Sequence, residues 1–305
     1  MILQRPSSPL IFLLKGARLF FPLAVLLSLV LTQQSPDLLT PIAQIAVLGI
    51  IITLFGLPHG ALDPWIAQQI GLSHTRTEAF IFTTVYLAIS VFVVLIWLWL
   101  PALSLGVFLF ISAWHFAGDW SKSLNTPLCL SAGALLLLMP IGFQTEAVYS
   151  IFEQLSGQTG GSLAASLALP TWFLTIAMII LVGGALWKQQ WQSALEFISL
   201  FLSAYFTPPL LYFTLYFCLL HSPRHLSQLF IAAPTTEHSR MLRMMLIYTL
   251  ATLVLLGGLG WYWATLPTST LILRLIFIGL AAVTVPHMLL IGAAYLKNRT
   301  KLSSF

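Results

Sequence analysis

Residues 79–99 read AFIFTTVYLAISVFVVLIWLW, an uninterrupted stretch with no charged side chain. As a helix rising 1.5 Å per residue it would reach about 30 Å, the thickness of a bilayer's hydrocarbon core. Comparable stretches lie near 17–33, 40–62, 101–118, 127–145, 170–187, 193–207, 208–232, 243–266 and 270–296. The expected fold is therefore all-α, a polytopic transmembrane helix bundle of about ten spans (eight to ten). The stretch 17–33 follows basic residues as a signal peptide would, but it lacks a small-x-small cleavage site and is read as the first span.

Composition leaves little alternative. The 305 residues are 59% hydrophobic and 7% charged, with a mean hydropathy of +0.96. So few charges cannot clothe a soluble protein of this length, which excludes a water-soluble enzyme, a disulfide scaffold and a disordered chain. Cys129 and Cys218 both sit in apolar runs with no CxxC spacing, and read as core residues. The net charge of +5 does not point to nucleic acid, because the basic residues are scattered at segment ends.

Those charges set an orientation. With Arg5, Lys15 and Arg18 on the cytoplasmic side, the loops with Arg76, Lys122 and Lys188 are cytoplasmic too, and Asp37, Glu146 and Glu153 lie outside. The run 193–232 must cross twice, breaking at Pro208-Pro209, if Arg240 and Arg243 are to stay inside. Both termini are then cytoplasmic. The external stretch 146–169 contains Ser156-Gly157-Gln158-Thr159-Gly160-Gly161-Ser162 and reads as a flexible loop with an interfacial segment at 163–169. No soluble domain interrupts the chain, so residues 1–305 are expected to form one integral membrane domain. Short loops, few charges and no organelle presequence suggest a multi-pass protein of a bacterial inner (plasma) membrane.

Ionisable groups in lipid cost several kcal/mol and usually mark chemistry. Five of the seven histidines fall in apolar segments: His59, His115, His221, His225 and His287. On the ten-span topology they lie at similar depth on four helices. His74 and His238 sit in polar stretches and read as solvated. His221 and His225, four apart, would share one helix face and one metal ion, with Pro223 between them disturbing the helix. His59 and His115 are each followed four residues later by a carboxylate, Asp63 and Asp119, placed to accept the ring N–H of the ligand or to coordinate directly. A shared metal site is the expectation; heme ligation and a proton relay use the same residues. Imidazole without thiolate suits iron, copper, zinc or nickel, and an apolar cavity favours redox chemistry, with non-heme iron(II) and O2 the natural candidate. Trp65, Trp114, Phe116, Trp120, Tyr212, Tyr216 and Phe217 would line a channel for a flat conjugated ligand or serve as ordinary packing.

Pro58-His59-Gly60-Ala61-x-Asp63, Trp114-His115-Phe116 and His221-Ser222-Pro223-Arg224-His225 together resemble the Brp/Blh family of membrane β-carotene 15,15′-dioxygenases, over nearly the whole chain. The resemblance implies an iron ion, Fe2+, held by four histidines, which fall on His59, His115, His221 and His225. Asp63, Asp119 and His287 are then outer candidates, with His287 also open to a role as fifth ligand or channel residue. It implies oxidative cleavage of the central double bond of β-carotene, or a related carotenoid, by O2 to two molecules of retinal. Membrane lipid and a retinal-accepting rhodopsin are the expected surroundings. Two other classes compete: a metal-dependent lipid desaturase or hydroxylase, which would carry more histidine boxes, and a non-enzymatic heme- or ion-handling membrane protein.

Overall fold

The computed structural model describes residues 9–35, 37 and 40–302; Arg5, on which the expected orientation partly rests, lies outside them. Among the described residues there are helices and no strand. Among the described residues, six helices are long and apolar enough to cross a membrane: Pro41–Gln69, Arg76–Trp99, Pro101–Trp120, Thr126–Phe143, Thr235–Tyr262 and Thr268–Lys297. A seventh candidate is a pair, Gln158–Leu167 and Thr171–Trp187, bent by 62°.

The remaining expected spans are shorter. Residues 17–33 lie in α1 (Pro9–Gln34), whose apolar part is Phe20–Gln34. Residues 193–207 form α11 (Trp191–Phe206), which stops before Pro208, a residue with extended backbone at ψ 145°. Residues 208–232 are divided between α12 (Pro209–Tyr216), a π turn over Phe217–His221 and α13 (Ser222–Ala232).

The stretch expected to be a flexible external loop is instead two helices, α8 (Thr145–Ser156) and α9 (Gln158–Leu167). The cause is an amphipathic repeat within it: Val148, Phe152 and Leu155, at helical spacing, are buried against the bundle. Gly157 makes the joint with φ 76°, a backbone conformation that costs glycine little.

Burial separates an outer from an inner layer. The apolar windows of α5 (Arg76–Trp99) and α14 (His238–Tyr262) contain no buried residues, and Phe80, Phe92 and Val254 on them are exposed. Side chains of this kind are stable on the outside only against lipid. Exposed tryptophans at helix ends, Trp99, Trp172, Trp187, Trp191 and Trp261, have the placement of membrane-interface anchors. The inner layer contains α2 (Pro41–Ile51), α6 (Pro101–Ala117), α7 (Thr126–Phe143), α11, α12, α13 and α15 (Thr268–Leu302), and these carry most of the apolar core.

Two inner segments share a local device. Residues 52–56 and 217–221 each form a π turn, closed by the N–H of Leu57 on Ile52 O and of Ser222 on Phe217 O. A proline follows in both cases, Pro58 in α3 (Leu57–Gly60) and Pro223 in α13. Proline has no N–H for the carbonyl four residues back, so a widened turn lets the hydrogen-bond ladder resume at a shifted register. That shift turns His59 and His225 toward the bundle interior.

Candidate metal centre

Five imidazoles meet in the inner layer. His59 comes from α3, His115 from the last turn of α6, His221 from the second π turn, His225 from α13 and His287 from the middle of α15 after Pro286. Ring centroids of His59 lie 5.4 Å from His221, 5.8 Å from His225 and 5.6 Å from His287. His115 lies 4.8 Å from His221 and 5.4 Å from His287, and His225 is 5.4 Å from His287. One ring nitrogen each of His59, His115 and His287 can be drawn within 4.8 Å of the others.

Three of these rings are fixed from behind through Nδ1. His287 Nδ1–H donates to Asp63 Oδ1 at 2.7 Å, and His221 Nδ1–H donates to Asp119 at 3.1 Å. His59 Nδ1 meets the Gly56 carbonyl and, at 3.3 Å, the Ser222 hydroxyl. A proton on Nδ1 leaves Nε2 as a lone pair directed into the cluster. The Nε2 atoms of His225 and His287 are buried with no hydrogen-bond partner, and those of His115 and His221 lie 3.1 Å apart.

The two carboxylates are the ones singled out by spacing, but their partners differ from those expected. Asp63 serves His287 rather than His59, and Asp119 serves His221 rather than His115. The helix each pair was meant to share ends between its members. α3 stops at Gly60 and Asp63 opens α4 (Asp63–Gln69), while α6 stops at Ala117 and Asp119 lies in the tight turn Gly118–Trp120. Each carboxylate also accepts a tyrosine hydroxyl, Tyr86 on Asp63 at 2.8 Å and Tyr216 on Asp119 at 2.7 Å.

Behind Asp119 lies a buried ion pair that the spacing of histidines gave no reason to seek. Arg224, between His221 of the π turn and His225 of α13, donates to the Asp119 carbonyl at 3.0 Å and to Glu196 at 2.6 Å. Glu196 also accepts from the Trp120 indole at 2.9 Å. Glu196 was visible in the sequence as a lone acid within an apolar helix, which is the signal that would have found it. Tyr86 carried a weaker signal, a phenol hydroxyl within an apolar span.

An apolar cavity of about 30 Å³ opens onto His59, His115 and His287, walled by Phe116, Phe217 and Leu280 among others. A second, of about 90 Å³, extends toward α8 past Leu136, Ile151 and Tyr212. Phe108, Ser112, Phe116 and Phe213 wall both. Of the aromatic residues expected to line a channel, Phe116, Tyr212 and Phe217 do so. Trp120 and Tyr216 instead belong to the network around Asp119, Trp65 packs in a separate cluster with Leu62 and Phe230, and Trp114 is exposed. His74 is exposed as expected. His238 is buried, its Nε2–H donating to the Phe230 carbonyl at 3.0 Å, because α14 begins there and folds it against α13.

The donor set fits a metal ion. The Nε2 atoms of His225 and His287 have no hydrogen-bond partner, and a divalent cation would give them and the neighbouring imidazoles a shared one. The 3.1 Å between His115 and His221 Nε2 is close to the separation of neighbouring ligand atoms on an ion bound at about 2.0–2.1 Å. Carboxylate backing of a ring N–H is the usual support of a metal-binding histidine.

No solved structure matches the chain. A curated protein named beta-carotene 15,15′-dioxygenase, from uncultured marine bacterium 66A03, is 31% identical over 260 residues, covering 83% of this chain and 94% of the relative. The family model described as beta-carotene 15,15′-dioxygenase matches residues 50–295, a range that contains all five clustered histidines and both carboxylates. The chain belongs to the beta-carotene 15,15′-dioxygenase family.

Proposed function

We propose that the protein cleaves the central double bond of β-carotene with O2 at an iron(II) centre held by His59, His115, His221 and His225. The bond between C15 and C15′ breaks and each carbon takes one oxygen atom, giving two molecules of retinal. The observation that carries this reading is the convergence of buried imidazoles at the end of an apolar cavity, in a chain of this family.

When bound, iron(II) supplies the activation of O2. The protein's own part is to hold and to exclude. Asp119, fixed by Tyr216 and by Arg224 on its carbonyl, keeps His221 in the tautomer with Nε2 inward. Gly56 and Ser222 do the same for His59. Phe108, Phe116, Phe213 and Phe217 form the cavity walls beside the histidines, where flat rings suit a conjugated chain and keep water out. A polyene held along these walls presents one bond to the histidine cluster, and that placement selects the bond cut.

Residues 1–305 act as one membrane domain of about ten spans (eight to ten) with both termini cytoplasmic, in a bacterial inner membrane. That sidedness rests on the positions of Arg76, Lys122, Lys188, Arg240 and Arg243. The carotenoid enters from the bilayer, and retinal leaves toward an acceptor such as a rhodopsin. Expression in a β-carotene-accumulating bacterium tests the reading: loss of orange pigment with appearance of retinal is expected, and both should be absent with His225→Ala. Intact β-carotene beside well-expressed, iron-loaded protein would overturn the substrate assignment.

A further inference from the structure

We infer that His287 is itself a ligand of the metal, a fifth imidazole beside His59, His115, His221 and His225. This rests on the reading of the cluster as a metal centre and changes its composition.

The argument is a structural parallel. His221 donates its Nδ1–H to Asp119, which also accepts from Tyr216. His287 donates its Nδ1–H to Asp63, which also accepts from Tyr86. The two histidine–aspartate–tyrosine sets come from unrelated parts of the chain, yet each ends in an Nε2 that faces the other imidazoles. Both sets are buried, with side-chain exposures of 4% for His287 and 1% for Asp63 against 3% for His221 and 9% for Asp119.

A histidine that only supported the others would have its Nε2 accept a hydrogen bond from one of them or from another donor. His287 Nε2 has no such partner, and a buried nitrogen left unpaired is costly. Its ring lies 5.4–5.6 Å from the rings of His59, His115 and His225, so it sits among the other ligands rather than behind them. His59 and His221 have their Nδ1 atoms engaged outward and cannot give a proton toward it without losing those bonds. A cation shared with His59 and His115 supplies what the Nε2 of His287 lacks. Tyr86 makes the same point from outside: on a helix whose Phe80, Val85 and Phe92 are exposed, it turns inward to hold Asp63 and the Val283 carbonyl, one turn before His287.

The test uses Co(II) added to the full-length, metal-stripped protein in detergent micelles. Its visible ligand-field bands report coordination number and donor set without any turnover. Wild type should bind one Co(II) per chain. His287→Ala should bind it at least ~10-fold more weakly and with altered bands, and Asp63→Asn should weaken binding while keeping the wild-type band pattern. Bands and affinity of His287→Ala identical to wild type would overturn the inference while leaving a four-histidine centre intact. If His287→Ala does not yield a monodisperse protein, X-ray absorption of Co(II)-loaded wild type replaces it. Five imidazole scatterers are expected, and four would overturn the inference. A wild type that binds no Co(II), iron or other divalent metal would overturn the metal reading itself, and this inference with it.

Discussion

Asp63 stands four residues after His59, yet its carboxylate receives the ring N–H of His287, 224 positions further along the chain, at 2.7 Å. Sequence neighbours are thus assigned to different histidines, and the pairing has consequences that can be measured.

Asp63→Asn should lower metal affinity about 10–100-fold, the usual effect of removing a carboxylate behind a ligating histidine. The effect should vanish in a His287→Ala background and persist in a His221→Ala background, because only the first removes the partner that Asp63 serves. Chelator competition on the three backgrounds, each with and without Asp63→Asn, measures this. Equal effects in both backgrounds would show that Asp63 does not act through His287.

The histidines were legible because the hydrocarbon core penalises ionisable groups, so five imidazoles in apolar runs stood out. Their partners were not, because the rule that joins residues four apart holds only within one helix. Between His59 and Asp63 the chain ends α3 at Gly60 and restarts at Asp63, and between His115 and Asp119 it leaves α6 at Ala117. Pro223 signalled a disturbed helix, but the form of the disturbance, a π turn ahead of Pro58 and of Pro223, is not fixed by the presence of a proline alone. The same holds for α8: its buried stripe of Val148, Phe152 and Leu155 was present in the sequence, masked by the glycines that follow it.

Glu196 and Arg224 form a pair with side-chain exposures of 3% and 8%. Glu196→Leu leaves the guanidinium buried without its partner and should destabilise the protein by about 3–5 kcal/mol, whereas Glu196→Gln, which keeps an acceptor, should cost less. Thermal unfolding in detergent measures both. A Glu196→Leu protein as stable as wild type would mean that Arg224 finds another partner, and that the position of Asp119 does not depend on this pair.

Gly133 on α7 faces the turn of α6 that carries His115. A Cβ there would collide with the Ala113 carbonyl and lie 2.8 Å from the Ala117 nitrogen. Because those contacts are backbone, they cannot swing aside as a side chain does. Gly133→Val should push α6 outward, displacing His115, and should lower retinal formation at least ~100-fold, as misplacements near 1 Å do. Retention of full activity would show that α6 and α7 approach less closely than described.

Ser112 walls both cavities, three residues before His115 on α6. Ser112→Trp should fill the space between them and abolish cleavage of β-carotene while leaving bound iron unchanged, since Ser112 touches none of the ring hydrogen bonds described. Retinal yield and iron content, measured on one preparation, separate the two effects. Undiminished cleavage would place the substrate elsewhere.

The most direct measurement is iron content and retinal yield together, on purified wild type and on the His221→Ala, His225→Ala double variant. Wild type is expected to hold one iron per chain and to form two retinal for each β-carotene consumed, and the double variant is expected to hold no iron and form none. A double variant with a full iron complement, or a wild type that forms retinal without any metal, would contradict the histidine centre.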